Sequence, residues 1–106
     1  MPTYIIKENS FIARLAARKL KATQLAIVIG RTIHLHNTDK QSFLANSTWL
    51  RHELKHIEQF RRYGFFRFII LYLWESLLHG YRDNRFEHEA REAEREVTSH
   101  TLASRE

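Results

Sequence analysis

The sequence predicts an α+β fold in which a small sheet with a β-hairpin packs on about four helices. Apolar residues recur at helical spacing in several separate segments, which predicts the helices. Residues 24–37 are rich in β-branched residues and are divided by Gly30, which predicts the hairpin. The chain has 106 residues, of which 43% are hydrophobic. It can bury one modest core, so we expect residues 1–106 to form a single domain.

The first half of the chain predicts a helix followed by the hairpin. Ser10 is a suitable N-cap for a helix whose apolar residues, between Phe11 and Leu20, recur at helical spacing. Gly30 lies at the first centre of a two-residue loop and suits a type II′ turn. In the second strand apolar and polar side chains alternate, so one face has Ile33 and Leu35 and the other has Thr32, His34 and His36.

The central part of the chain predicts a short helical turn and then a long amphipathic helix. The turn begins at Asp39 and ends at Asn46. Ser47 is a suitable N-cap for the long helix, and Gly64 ends it. The apolar residues of this helix crowd one broad side and its basic residues take the other. This pattern predicts one buried side and one side that faces solvent.

The last third of the chain predicts two helices and a tail. The apolar residues 65–79 predict a helix whose length suits a core helix packed behind a functional site. This helix is too short to span a bilayer. Asp83 or Asn84 caps the last helix, which is expected over about residues 85–96. Residues 97–106 are expected to form a frayed tail or one that covers the cleft.

Composition and charge limit the possible functions. The chain has 17 Lys+Arg and 12 Asp+Glu, a formal net charge of +5, which permits an acidic partner such as nucleic acid. The sequence contains no recognised nucleic-acid-binding motif, so we expect no specific nucleic-acid partner. It has no cysteine, so histidines and carboxylates would have to hold any metal. It has neither a signal-peptide pattern nor a membrane-spanning run, so we expect a cytoplasmic protein.

Residues 52–56, HELKH, spell the motif H-E-x-x-H. Residues four apart lie on the same face of a helix, so the imidazoles of His52 and His56 can bind one metal ion. Glu53 is placed to activate a water at the metal as a general base. The alternative is a surface helix with two solvated histidines. The inward position of the motif favours zinc, because a buried glutamate between two histidines is costly without a cation.

A catalytic zinc site needs a third protein ligand, and the last helix offers several candidates. Phe86 and Ala90 belong to its packed stripe, and Glu87 borders that stripe on the inward side. His88 is the rival ligand. The other acidic residues are expected mainly on the solvated side: Glu89, Glu92, Glu94 and Glu96.

The motifs of the two helices resemble those of a known family. HELKH, followed after an apolar helix by GYRDNRFEHEA, is similar to the minigluzincins. These are minimal metallopeptidases of about this size, which resemble the catalytic cores of integral-membrane CaaX proteases. Their glutamate helix has the pattern N-x-x-E-x-x-A, here Asn84, Glu87 and Ala90, and the resemblance covers roughly residues 10–96. It implies one zinc ion per chain with His52, His56 and Glu87 as ligands and Glu53 as general base.

The sequence departs from this family pattern at two positions. Many gluzincin glutamate helices have an acidic residue four positions after the ligand, where it orients a zinc-binding histidine. Arg91 occupies that position here and cannot do this. The family usually has a proline after the asparagine, where this chain has Arg85; a proline in the first turn helps a helix but is dispensable. The first departure leaves the histidines without a predicted orienting partner.

Further residues are candidates for contact with the substrate. Tyr81 is the preferred donor to the oxyanion of a tetrahedral intermediate, because it lies just before the glutamate helix. The other donors considered are Tyr72, His79 and His100. His34 and His36 would bind substrate if their strand face meets the cleft, and otherwise they form a polar strand face. The strand RTIHLH is expected to be the sheet edge that pairs with an extended substrate.

The sequence therefore predicts a zinc metalloendopeptidase that acts on peptide or protein substrates, with its oligomeric state left open. The resemblance adds latency, because the minigluzincins include forms whose own terminal segment occupies the cleft. Residues 97–106 follow the predicted ligand helix and contain His100 and Glu106 as potential ligands. The alternative is a non-catalytic zinc-binding protein, or a basic module that binds nucleic acid or protein. Glu53 discriminates between them, because a purely structural zinc site needs no base.

Overall fold

The structure is a computed structural model that describes residues 3–104, with side chains described for residues 3–95. Its strands are β1 (Ile5–Lys7), β2 (Leu25–Ile29) and β3 (Thr32–His36). Its helices are α1 (Phe11–Leu20), α2 (Lys40–Ala45), α3 (Ser47–Tyr63), α4 (Phe65–His79) and α5 (Arg85–Ser104). The predicted α+β fold, with a small hairpin-containing sheet packed on helices, is confirmed. The short turn predicted after the sheet is the helix α2.

The predicted tail, residues 97–106, is described only in part. α5 is assigned beyond Glu96, where the sequence placed its end, and reaches Ser104. The side chains from residue 96 onwards lie outside the described part of the chain. The expectation that residues 97–106 cover the cleft therefore stays a prediction.

The sheet contains a strand, β1, that was not predicted from the sequence. β1 pairs in parallel with β3, and β2 pairs with β3 in antiparallel register, so the strand order is β1-β3-β2. The prediction that RTIHLH is the free edge is therefore wrong, because β3 lies in the centre of the sheet. The edge strands of the described sheet are β1 and β2. A strand of three residues is too short to show an alternating pattern, which explains why β1 was missed.

The hairpin follows the predicted alternation, and helices cover both of its faces. Gly30 has φ +66° and no positive φ occurs at Arg31, as a type II′ turn requires. Ile33 and Leu35 are fully buried against the main core. His34 is also buried, but its ring lies against the start of α1, where Nδ1 is 2.8 Å from Ser10 Oγ.

The main core lies between the sheet and helices α2 to α5 and fixes the helices that contain the motifs. Phe68 of α4 is its central aromatic residue, with ring centroids 4.6 Å from Phe60 of α3 and 5.0 Å from Phe86 of α5. The buried members of the core are Val28, Ile33, Leu35, Phe43, Ile57, Phe60, Phe68 and Phe86. Because these rings interlock, α3, α4 and α5 have fixed relative positions.

The apolar helix α4 contributes only one of its sides to this core. Phe68 is its one fully buried residue, whereas Phe66 and Leu77 are each 77% exposed. Within the part of the chain that the structure describes, no helix is both long enough and apolar enough to cross a membrane.

Candidate metal centre

The side chains of His52, His56 and Glu87 meet where α5 packs along α3. Glu87 Oε1 lies 3.1 Å from His52 Nε2 and 3.2 Å from His56 Nε2. One ligand atom from each of the three residues lies within 4.8 Å of the other two. Among the described residues, this is the only group of three or more histidine and acidic side chains with such a geometry. The structure thus brings together the three residues that the motifs predict as ligands.

Asn84 determines where the first turn of α5 begins, and so where Glu87 lies. Its Oδ1 accepts a hydrogen bond from the backbone N–H of Phe86 at 2.8 Å, as a residue at a helix N-terminus does. Its amide nitrogen donates to the Tyr72 carbonyl at 3.0 Å and to Ser76 Oγ at 2.9 Å, both on α4. Asn84 is fully buried. One side chain therefore caps α5 and fixes that cap to α4.

The second nitrogen of each histidine has its own partner, which orients the ring. His52 Nδ1 lies 2.6 Å from Glu94 Oε2, and His56 Nδ1 lies 2.9 Å from Gln59 Oε1. The Gln59 amide nitrogen donates to the Phe86 carbonyl at 3.1 Å, so Oε1 is the atom that faces His56. An amide oxygen only accepts, and His56 Nδ1 is therefore the donor. A neutral ring protonated at Nδ1 keeps the Nε2 lone pair for a metal.

Glu94 contacts the outer nitrogen of His52. In the family pattern such an acidic residue stands at the position of Arg91. Glu94 was expected to be exposed, and this expectation is wrong. Seven residues after Glu87 are about two helical turns, so Glu94 returns to the same side of α5. Arg91 instead donates to the carbonyl of Arg82 at 2.6 Å. Gln59 was also missed, although its position three residues after His56 would have placed it on the inward side.

The distances fit a zinc ion. Zinc–ligand bonds of about 2.0–2.1 Å in tetrahedral geometry separate neighbouring ligand atoms by about 3.3 Å. The two distances from Glu87 Oε1, 3.1 and 3.2 Å, are close to that separation. Two imidazoles and one carboxylate also form a donor set that zinc takes in hydrolases, with a fourth position left open. The residues at this site therefore suit zinc in both chemistry and spacing.

Replacing Glu94 by alanine is expected to lower zinc affinity by about 10–100-fold, because His52 loses the carboxylate that holds its ring. Glu92→Ala is the matched control. It removes a carboxylate from the same helix, and that carboxylate is half exposed and bonds to Arg95. Zinc titration of both variants against a competing chelator measures the difference. If Glu94→Ala binds zinc as tightly as Glu92→Ala, the contact with His52 has no part in holding metal.

His52, His56 and Glu87 shift one another's pKa values. Burial alone would raise the pKa of Glu87, but hydrogen bonds from His52 and His56 outweigh it and hold that pKa well below its ordinary range. Burial alone would lower the pKa of His52, but hydrogen bonding to Glu87 and the nearby carboxylates raise it to about 9. The pKa of His56 is raised in the same way, against the effect of its burial. The carboxylate of Glu87 thus favours positive charge on the two imidazoles beside it.

Glu53 lies beside the three predicted ligands and outside their group. Its side chain is buried, and only 4% of the residue is exposed. Burial is the main cause that raises its pKa, to about 7. Glu53 lines the same cleft as His52, His56 and Glu87. Glu53 is thus a buried carboxylate that lines the cleft and is not one of the converging ligands.

Two tyrosines line the cleft near Glu87. The Tyr72 hydroxyl donates to Glu87 Oε2, so this oxygen has a protein partner, and Oε1 is the oxygen that faces the histidines. Burial, followed by the charge of Glu87, raises the pKa of Tyr72 far above its ordinary value. Tyr81 is 51% exposed, and burial of its hydroxyl end together with Glu87 raises its pKa to about 12. Both remain protonated donors at neutral pH. His79 is exposed at the end of α4, and the side chain of His100 is outside the described residues.

The cleft lies between α1, β2, α3 and α4 and has a volume of about 280 Å³. β2 runs along it as an edge strand, so the backbone groups on its outer side have no partner strand in the described sheet. The walls are mainly apolar, with Leu20 from α1, Leu25 from β2 and Leu73 from α4. His52, Glu53, His56 and Glu87 therefore line a mainly apolar groove that is bordered by a sheet edge.

His34 and His36 do not belong to this cleft. His34 is buried against α1, bonded to Ser10, and His36 lies in a separate depression with Asn9 and Arg14. Neither residue lines the groove that contains Glu53. Their predicted contact with substrate is not supported, because the strand face on which they lie is turned towards α1.

His34 is expected to make the fold less stable in mild acid. Burial, with a smaller effect of Lys7, lowers its pKa below the ordinary value of 6.5. As the pH falls through about 6.5, the unfolded chain therefore binds this proton before the folded chain does, and stability is lost. His34→Gln retains an acceptor for Ser10 and should remove this loss, at most about 1.4 kcal/mol per pH unit.

Urea denaturation of the wild type and His34→Gln between about pH 7.5 and 5.5 measures this effect. The other titrating groups are common to both proteins, so the difference between the two curves isolates His34. His88→Gln, at an exposed histidine, is the control. Parallel curves for the wild type and His34→Gln would show that His34 does not resist protonation.

Comparisons of this chain with protein-family models, with curated proteins and with solved structures find no match. The resemblance to the minigluzincins therefore stays a prediction that rests on the motif residues.

Proposed function

We propose that this chain is a zinc-dependent endopeptidase. The observation that supports this most is the convergence of His52 Nε2, His56 Nε2 and Glu87 Oε1. A buried fourth residue, Glu53, lies in the same open groove. A structural zinc site is closed by four protein ligands, whereas a catalytic one has three and an open position. Three converging donors that line a groove favour the catalytic kind.

Each step of peptide hydrolysis has a candidate residue in this groove. His52, His56 and Glu87 would hold the zinc ion, which when bound would supply Lewis acidity for activation of water and of the scissile carbonyl. Glu53 accepts a proton from the attacking water and returns it to the leaving amine. Tyr81 lies in the same groove as a candidate donor to the oxyanion. Tyr72 holds Glu87 Oε2 and so fixes which oxygen faces the histidines.

β2 is the candidate strand for alignment of the substrate. An extended peptide can add to a sheet edge through backbone hydrogen bonds, and side-chain pockets then select the sequence. β2 is an edge of the described sheet and lines the groove, which β3 does not. The apolar wall residues Leu20, Leu25 and Leu73 favour peptides with apolar side chains near the scissile bond.

The test is cleavage of a peptide mixture by the purified full-length chain, followed by mass spectrometry. We expect cleavage with zinc, no cleavage after treatment with a chelator, and recovery when zinc is added back. The same assay on a chain truncated after Glu96 accounts for a tail that covers the groove. If both forms bind zinc and neither cleaves any peptide, the chain is the alternative, a non-catalytic zinc-binding module.

A further inference from the structure

The outer side of α4 is an exposed apolar face. Its members recur four, seven, eight, eleven and twelve residues after the first, so they lie on one side of the helix. They are Phe66 (77% exposed), Ile70 (66%), Leu73 (61%), Trp74 (57%), Leu77 (77%) and Leu78 (54%). A helix of 15 residues is about 22 Å long. This set of residues, called the α4 face below, therefore forms a continuous apolar surface along the whole helix.

An exposed apolar face of this kind usually marks a site of interaction with another molecule or with a membrane. Soluble monomers rarely expose contiguous apolar patches larger than a few hundred Å², and larger ones usually bind a protein or a membrane. The members of the α4 face are each more than half exposed, although large apolar side chains gain about 1.5–3 kcal/mol each from full burial. The exposure of the face is thus costly in water and favours a second medium or molecule.

The α4 face shares one residue with the lining of the groove. Leu73 belongs both to the face and to the groove lining. α1 contributes Leu20, which is 50% exposed, to the same lining. α1 also exposes Phe11 and Leu15. Exposed apolar surface is therefore present on α1 and on α4, which both border the groove.

The exposed charges on α4 and α1, the two helices with exposed apolar side chains, are mainly positive. α1 contains Arg14, Arg18 and Lys19 and no acidic residue, and all three cations are exposed. α4 has one cation, Arg67, which is exposed, and one acid, Glu75, which lies 3.9 Å from Arg85. The whole chain has a formal net charge of +5. Apolar and aromatic side chains next to exposed cations are the combination that binds the surface of an anionic bilayer.

We propose that the α4 face docks this protein on an anionic lipid bilayer. The helix lies in the plane of the interface, with Phe66, Trp74 and Leu77 at the level of the headgroups and upper acyl chains. Arg67 and the cations of α1 contact lipid phosphates. In this position Leu73, which also lines the groove, lies at the membrane surface. The docking uses no residue of the metal cluster, so it does not depend on zinc or on peptidase activity.

The first test is co-sedimentation of the purified full-length chain with vesicles. The probes are phosphatidylcholine vesicles with and without phosphatidylglycerol. We expect at least about tenfold stronger partition into the anionic vesicles, because each cation near the surface contributes about 1 kcal/mol. Trp49→Phe leaves Trp74 as the single tryptophan, so fluorescence reports on the α4 face alone. Its emission should move to shorter wavelength on binding, with and without a zinc chelator.

The second test is a pair of matched double variants. Ile70→Glu/Leu77→Glu changes two outward side chains of the α4 face and should weaken vesicle binding at least about tenfold. Ile5→Glu/Leu44→Glu makes the same change in charge at exposed residues that do not line the groove, and should bind like the wild type apart from a small loss. Circular dichroism confirms that both variants fold.

Three outcomes would overturn the proposal. The wild type could fail to bind anionic vesicles. The control could lose binding as strongly as the α4 variant, in which case net charge alone decides. The wild type could be a dimer in analytical ultracentrifugation that Ile70→Glu/Leu77→Glu separates and that binds no vesicles, in which case a second copy covers the α4 face.

Discussion

Glu53→Gln is expected to lower the kcat of peptide hydrolysis by about 10²–10⁴-fold and to leave zinc bound. Glutamine has the size of glutamate but cannot accept the proton of the attacking water. Glu53 is buried beside the converging ligand atoms and is not one of them, so its replacement removes the base without removing a ligand. Turnover of a peptide that the wild type cleaves, together with metal analysis of the purified variant, measures both effects.

Glu58→Gln is the matched control for this experiment. It makes the same change on the same helix, at a side chain that is 58% exposed and pairs with Lys55 on the solvent side. We expect it to cleave like the wild type. Equal turnover by Glu53→Gln and Glu58→Gln would remove Glu53 from the reaction. Loss of zinc from Glu53→Gln would make it a metal ligand instead.

The elements with local signals could be predicted from the sequence. Ser10 and Asn84 cap helices through contacts with residues two or three positions away, and Gly64 and Gly80 end helices with positive φ. Gly30 allows the tight hairpin turn. Each of these effects operates within a few residues, so the local sequence determines it.

The sheet edge could not be predicted in this way. β1 is only three residues long, and it pairs with β3 across about 27 positions of sequence, as in Ile5 with Thr32. No local pattern encodes that pairing. Because β1 was missed, β3 was assigned to the edge of the sheet. One undetected strand therefore explains the wrong assignment of the sheet edge.

In the candidate site, too, the residues with local sequence signals could be predicted and those that depend on tertiary packing could not. The spacing of His52 and His56 on one helix is local, and Glu87 lies in a recognisable pattern with Asn84 and Ala90. The residues that orient the rings, Glu94 and Gln59, depend on how α5 packs against α3. That packing is a tertiary property, which the periodicity of either helix alone does not determine.

α4 shows a further limit of pattern reading. Its residues are apolar on nearly all sides, which is typical of a helix buried all round. The core, however, takes only the side with Phe68 and Tyr72, and the opposite side stays exposed. An apolar pattern predicts that a side of a helix is covered, but it does not identify the molecule or element that covers it. This difference between pattern and packing is the origin of the proposal that α4 lies on a membrane.

His56→Ala is expected to abolish zinc binding under conditions in which the wild type holds about one zinc ion per chain. His56 Nε2 is one of three converging donor atoms, and Gln59 holds the other nitrogen of its ring. With His56 removed, only His52 and Glu87 converge from the original group. Loss of an outer partner costs about 10–100-fold in affinity, and loss of a ligand itself should cost more. Metal analysis after dialysis and zinc titration measure the loss, and hydrolysis should disappear with it.

The control is His88→Ala, at a histidine on α5 whose side chain is 67% exposed and which lies outside the cluster. His88 was the rival ligand, so this variant also tests that alternative. Thermal melts with and without zinc provide a second measurement, because a ligand that binds only the folded state raises its melting temperature. Zinc should stabilise the wild type and His88→Ala but not His56→Ala. If His56→Ala keeps its zinc, or if His88→Ala loses it, the ligand set of His52, His56 and Glu87 is wrong.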